Sequence, residues 1–178
     1  MKQYPILFSG LMVRALLAGH KTQTRRIGTK TPYQKGDHLW VRESCATWEG
    51  GQRDVVYRAD TSENEWDKIK HDKNHGAPWK LRPSIHMPKW ASRLTLCVTD
   101  VRVQHLQDIS ESDAMAEGCV RYWRAGTGEE VYFLGPYGAF GTPRYPFRRV
   151  WDDLNEKRGF GWEKNPQVTV IMFETQHS

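Results

Sequence analysis

Cysteine is scarce in this chain of 178 residues: Cys45, Cys97 and Cys119 are the only three, widely spaced and odd in number. No Cys-x-x-Cys pair occurs, which argues against both a disulfide framework and a structural zinc site. A reducing, cytoplasmic setting is the expectation. Long apolar runs are missing too, none approaching the ~20 residues of a membrane span. Met1 to Pro5 leads into only a few apolar residues before Ser9 and Gly10, so a signal peptide is not expected. No internal repeat and no interdomain linker stands out. The length suits one domain, for which roughly 100–200 residues is usual. Acidic residues are the minority, 21 against 26 Lys and Arg, for a net charge of +5. That excess favours polyanionic partners such as nucleic acid, an argument about association and not about fold.

Aromatic residues, by contrast, are dense, with eight tryptophans. Such density implies a packed core together with a surface that stacks on something flat. Pro5–Phe8 reads as a short strand. Ser9 caps a helix over Leu11–Ala18, and Gly19 ends it as a C′ glycine. Tyr33–Asp37 is a turn, and His38–Glu43 a strand with Leu39 and Val41 on one face. Val55–Arg58 reads as a further strand, and the polar stretch from Thr61 to Pro78 as an excursion with a short helix near Glu63–Ile69. Leu94, Leu96 and Val98 alternate with Thr95, Cys97 and Thr99, the pattern of a half-buried strand over 93–103. Ser110 and Asp113 form a variant capping box for a short helix closed by Gly118, with Glu117 in its last turn. Arg121–Pro146, rich in Gly, Tyr and Phe, reads as a loop or hairpin insertion. Phe147–Asn155 reads as an amphipathic helix and Gln167–Glu174 as a final, central strand. Strands dominate without βαβ regularity, so the expected class is α+β with a barrel, not a doubly wound sheet.

The chemistry concentrates in Gly19-His20-Lys21-Thr22-Gln23-Thr24-Arg25-Arg26, a G-x-K-x-x-T-x-R motif just after a helix. A Gly-Asp turn and strand (Gly36–Val41), a Leu-Thr-Leu-Cys-Val-Thr strand, Leu106-x-x-Ile109-Ser110, Ala116-Glu117-Gly118 and a closing Val-Ile-x-Phe-Glu strand follow in order. This series resembles the ASCH domain, a PUA-like family. The resemblance implies a single mixed β-barrel domain over 1–178 flanked by short helices, with insertions at about 44–90 and 119–165. The segment Pro83–Arg93 is similar to that of phage and prophage members. One branch of small bacterial members hydrolyses the amide of N4-acetylcytidine. Carried over residue by residue, its catalytic lysine, threonine and glutamate fall on Lys21, Thr24 and Glu117.

Two functional expectations follow. In the first, a basic pocket around Lys21, Thr24, Arg25, Arg26 and Glu117 binds nucleic acid, RNA before DNA, or a modified nucleoside. In the second, the protein is a metal-independent amidohydrolase of an N-acylated cytidine and needs no cofactor. Thr24 is then the nucleophile and Lys21 its base, neutral through burial or the neighbouring arginines. Glu117 passes a proton to the leaving amine, and Arg26 holds an oxyanion or a phosphate. Without catalysis the same cations make a phosphate-contacting patch. Glu43, at the end of its strand, is a spare carboxylate for the pocket. His86 and Trp90 are further substrate-binding candidates, by hydrogen bonding and by stacking on a base. His71 and His75 stand four apart without a third ligand, so no metal site is expected. A third expectation is a non-enzymatic protein that binds a host protein through its insertions, the aromatic segment Tyr132–Phe140 above all. A monomer without membrane contact is expected.

Overall fold

The computed structural model describes residues 1–51 and 53–177. In chain order the elements begin with β1 (Gln3–Leu7), α1 (Gly10–Leu17), β2 (Gln23–Ile27), β3 (His38–Arg42), β4 (Cys45–Trp48) and β5 (Val55–Tyr57). Then come α2 (Glu63–Asn74), β6 (Trp79–Arg82), β7 (Leu94–His105), α3 (Glu111–Ala116) and β8 (Val120–Trp123). The chain closes with β9 (Glu130–Leu134), β10 (Tyr137–Phe140), α4 (Arg144–Asn155) and β11 (Gln167–His177). This is the mixed α+β class expected. No closed barrel forms: among the described residues the strands make open sheets, each with two free ends.

The elements divide into two units. The first comprises Met1–Arg14, His38–Leu96 and the chain end from Gln176. There β1 pairs in parallel with β3, Gln3 opposite His38 and Leu7 opposite Arg42. Leu39 and Val41 are buried while Trp40 and Arg42 are only half-buried, as period-2 alternation demands. The stretch 44–90 contributes a three-stranded sheet, β5-β4-β6, with Trp48 opposite Trp79 and their rings edge-to-face at 4.9 Å. Helix α2 is longer than the sequence suggested. Ser62 and Glu65 close a reciprocal capping box at its start, and Trp66 is its buried anchor. His71 and His75 stack on each other on its exposed end, with ring centroids 4.0 Å apart.

The second unit comprises Ala15–Asp37 and Cys97–Thr175. Here β2 pairs antiparallel with β11, placing Thr24 opposite Ile171 and Arg25 opposite Val170. The G-x-K-x-x-T-x-R motif, which reads as loop at its start, therefore runs directly into a strand. Its polar sequence hides that strand because the partner supplies the apolar residues: Val168, Val170 and Ile171 are fully buried. Stretch 119–165 forms a second three-stranded sheet, β10-β9-β8, followed by α4, which buries Phe147, Val150 and Trp151.

Candidate functional site

The site grows from the end of α1. Gly19 takes φ +72°, the left-handed conformation of a C′ glycine, and its N–H donates to the carbonyl of Leu16 at 3.0 Å. The chain reverses there, and the Lys21 N–H donates to the carbonyl of Ala15 at 3.1 Å. Lys21 then bridges to Glu117 as an isolated antiparallel pair, and the Thr22 N–H donates to the carbonyl of Ala116 at 2.9 Å. The motif is thus stitched, backbone to backbone, onto the C-terminus of α3.

That helix is held by its own cap. Ser110 Oγ accepts from the Asp113 N–H, and the Asp113 carboxylate accepts from the Ser110 N–H. Gly118 follows Glu117 at φ +109°, where a Cβ would lie 3.0 Å from that of Ala15. Glycine is required there both for its backbone angle and for the close approach of α1.

On this scaffold the side chains form a buried ionic cluster. Lys21 Nζ donates to Glu117 Oε2 at 2.7 Å and to the Glu117 carbonyl at 3.0 Å. Arg25 Nη1 donates to Glu117 Oε1 at 2.9 Å, so each carboxylate oxygen meets one cation. Arg25 Nη2 reaches Asp113 Oδ2 at 3.0 Å, and Arg102 Nη2 reaches Asp113 Oδ1 at 2.9 Å. Lys21 and Arg25 are 1% and 3% exposed, and Glu117 4%. Burial holds the Lys21 ammonium below its ordinary value; Glu117 opposes that shift, while Arg26 and Arg25 add to it. The Asp113 carboxyl also feels burial, which pushes it up, but Arg25, Arg102 and the Ser110 N–H bring it below the usual carboxylate range.

Of the expected site residues, Lys21, Arg25 and Glu117 are joined directly. Arg26 lies within electrostatic reach of Glu117 and Lys21. Strand alternation puts Thr24 and Arg26 on the opposite face of β2 from Gln23 and Arg25. Thr24 is buried, 3% exposed. Glu43, His86 and Trp90 belong to the first unit. There Glu43 accepts from Arg93 Nε at 2.9 Å and Nη2 at 3.1 Å, and Arg93 also binds Asp60 and covers the Tyr57 ring at 3.9 Å. Burial pushes the Glu43 carboxyl up, against the pull of Arg93. His86 is exposed, and Trp90, 47% exposed, lies under the Arg53 guanidinium at 5.4 Å.

Two members of the cluster went unread in the sequence. Asp113 reads there only as a capping residue, and Arg102 only as part of a strand. The available signal was a capping carboxylate four positions before Glu117, one helical turn away and on the same face. Among the described residues no group of three or more His, Cys, Asp or Glu is arranged to hold a metal ion, and no helix is long and apolar enough to cross a membrane. No family model and no curated protein matches the chain. Among solved structures it is similar to the ASCH domain from Lactobacillus crispatus JV V101, with 12% identity and a TM-score of 0.47 over 99% of this chain and 81% of that one.

Proposed function

We propose that this is an ASCH-type protein of the phage and prophage kind, whose second unit binds RNA or a modified nucleoside around Lys21, Arg25, Arg26 and Glu117. The observation that carries this reading is the burial of Lys21 and Arg25 on a single carboxylate. Buried ion pairs contribute little to stability compared with apolar residues of the same volume. Perturbed ionisable groups gather at functional sites, which makes this buried cluster, with Lys21 held below its ordinary value, the candidate site. The motif order that resembles the ASCH family and the net positive charge point the same way. The test is thermal stability against a panel of nucleosides, nucleotides and short RNA and DNA oligomers. A ligand at a hundred times its Kd stabilises by about 2.7 kcal/mol. One or more members should raise Tm in the wild type and not in Glu117→Gln. No shift by any of them at millimolar concentration overturns the reading.

Hydrolysis of N4-acetylcytidine or a related N-acylated nucleoside is the second reading, favoured by the depressed Lys21. A lysine can take the Thr24 proton only when neutral, and burial moves it in that direction. Thr24 then attacks the acyl carbon, and Glu117 relays the proton from Lys21 to the leaving amine as the C–N bond breaks. Water hydrolyses the acyl-Thr24 ester, returning a proton to the Thr24 oxygen and releasing the carboxylic acid. This reading ranks second because Lys21 Nζ is engaged by Glu117, whose carboxylate also accepts from Arg25. Chromatography of N4-acetylcytidine before and after incubation tests it. Activity that survives Lys21→Ala together with Thr24→Ala overturns these roles.

A further inference from the structure

The sheet β10-β9-β8 of the second unit carries an aromatic row that the cluster at Lys21 does not use. Tyr132 of β9 stands opposite Phe140 of β10 on one side and Arg121 of β8 on the other. Trp123 stands opposite Glu130, one alternation from Arg121 and Tyr132 respectively. Residues directly opposite share a face, and every second residue returns to it. Trp123, Tyr132 and Phe140 therefore occupy one face together with Arg121. Tyr145 of α4 extends the row, its ring 4.3 Å from that of Phe140 and tilted by 36°. Arg149 follows Tyr145 by four positions, on the same side of the helix.

Trp123 is 66% exposed and Tyr145 44%, so the two ends of the row lie open. Each end also carries an exposed cation. Arg121 pairs with Glu130 at 3.4 Å, but both side chains are open to solvent, and a pair of that kind is weak enough to be exchanged for a phosphate. The carboxylates beside the row are themselves engaged: Glu130 accepts from the Tyr132 hydroxyl at 2.6 Å, and Glu111 from the Thr142 hydroxyl at 3.0 Å. Flat rings in line, spaced by strand geometry and flanked by arginines, suit successive unpaired bases with their phosphates at the margins.

We propose that this face is a stacking surface for single-stranded nucleic acid, with Trp123 and Tyr145 as its open rings and Arg121 and Arg149 as its phosphate contacts. The choice of nucleic acid rests on the function proposed above, and the surface is separate from the Lys21 cluster. Stacking of this kind is tolerant of sequence, because every base presents a π-face.

The test is fluorescence anisotropy of a labelled oligouridylate of about a dozen nucleotides, within the range such surfaces cover. Trp123→Ala should weaken binding by about fivefold or more, the loss expected for one base–aromatic stack. Trp123→Phe, which keeps a ring, should restore most of it. Tyr122→Ala is the control, since Tyr122 is 55% exposed on the neighbouring position but on the opposite face. Oligomer binding indifferent to Trp123→Ala, or weakened equally by Tyr122→Ala, overturns the proposal and leaves the exposed rings to a protein partner. Nucleoside-induced stabilisation that depends on Glu117, with no tighter binding of the oligomer, also overturns it while the function proposed for the Lys21 cluster stands. No binding of either ligand overturns both.

Discussion

Lys21 and Glu117, 96 positions apart, are joined twice by one amine: Nζ donates to the Glu117 carboxylate at 2.7 Å and to its backbone carbonyl at 3.0 Å. The second bond satisfies a carbonyl at the C-terminus of α3, where a cation also complements the helix dipole. Lys21 is thus at once an ion-pair partner and a cap.

Removing the carboxylate should cost more than removing the amine. Glu117→Gln leaves Lys21 and Arg25 buried without their shared counter-charge, and breaking a buried pair in this way costs about 3–5 kcal/mol. Lys21→Met leaves Glu117 still bound to Arg25 and keeps the side-chain volume. Urea unfolding should rank the wild type above Lys21→Met, and Lys21→Met above Glu117→Gln. The reverse order of the two variants would contradict the shared-carboxylate arrangement.

Stability should depend on pH through Asp113 and Lys21 in separate windows. The Asp113 carboxyl is held below its ordinary 3.8, so its contribution is present above that value and is lost as pH falls through the lower folded one. The stability gap between wild type and Asp113→Asn should therefore shrink on acidification below about pH 4. Lys21 is depressed from 10.5, so the unfolded chain binds its proton more tightly. Wild-type stability should rise relative to Lys21→Met as pH climbs from the folded value toward 10.5. A flat difference in either window contradicts the corresponding shift.

Two of the three thiols should be inert. Burial pushes the Cys45 thiol up to about 11, with Glu43 adding, and that of Cys119 up to about 12, with Glu117 adding. Both are buried and protonated at neutral pH, and the thiolate is the reactive form. Alkylation of the native protein at mildly alkaline pH, read by mass spectrometry, should spare Cys45 and Cys119, and denaturation should expose both. Labelling of Cys119 in the native state would mean that the α3–β8 junction opens readily.

Gly118→Ala should destabilise by about 1–3 kcal/mol, the range for a residue forced into an unfavourable backbone region. A shift of roughly 2–4 °C in Tm per kcal/mol is expected for a protein of this size. The same change displaces Glu117, so ligand-induced stabilisation should fall with it. An unchanged Tm would mean that the turn after α3 relaxes without strain.

Local features were legible in the sequence because neighbouring residues produce them. Ser9 and Gly19 at the ends of α1, the Ser110–Asp113 capping box and the alternation of Leu94, Leu96 and Val98 each encode a turn or a period without help from distant parts of the chain. The G-x-K-x-x-T-x-R motif and Glu117 could be named as belonging together through their resemblance to the ASCH family. What only the tertiary structure decided was pairing. Strand β2 is polar and exists because β11 brings buried valines and an isoleucine alongside it. Asp113 becomes a link between Arg25 and Arg102 only once β2, β7 and α3 are assembled. Glu43 meets Arg93 across 50 positions, a pairing that no local period records. Hydrogen bonds within a turn are written in adjacent residues, whereas the partner of a buried charge is chosen by chain topology.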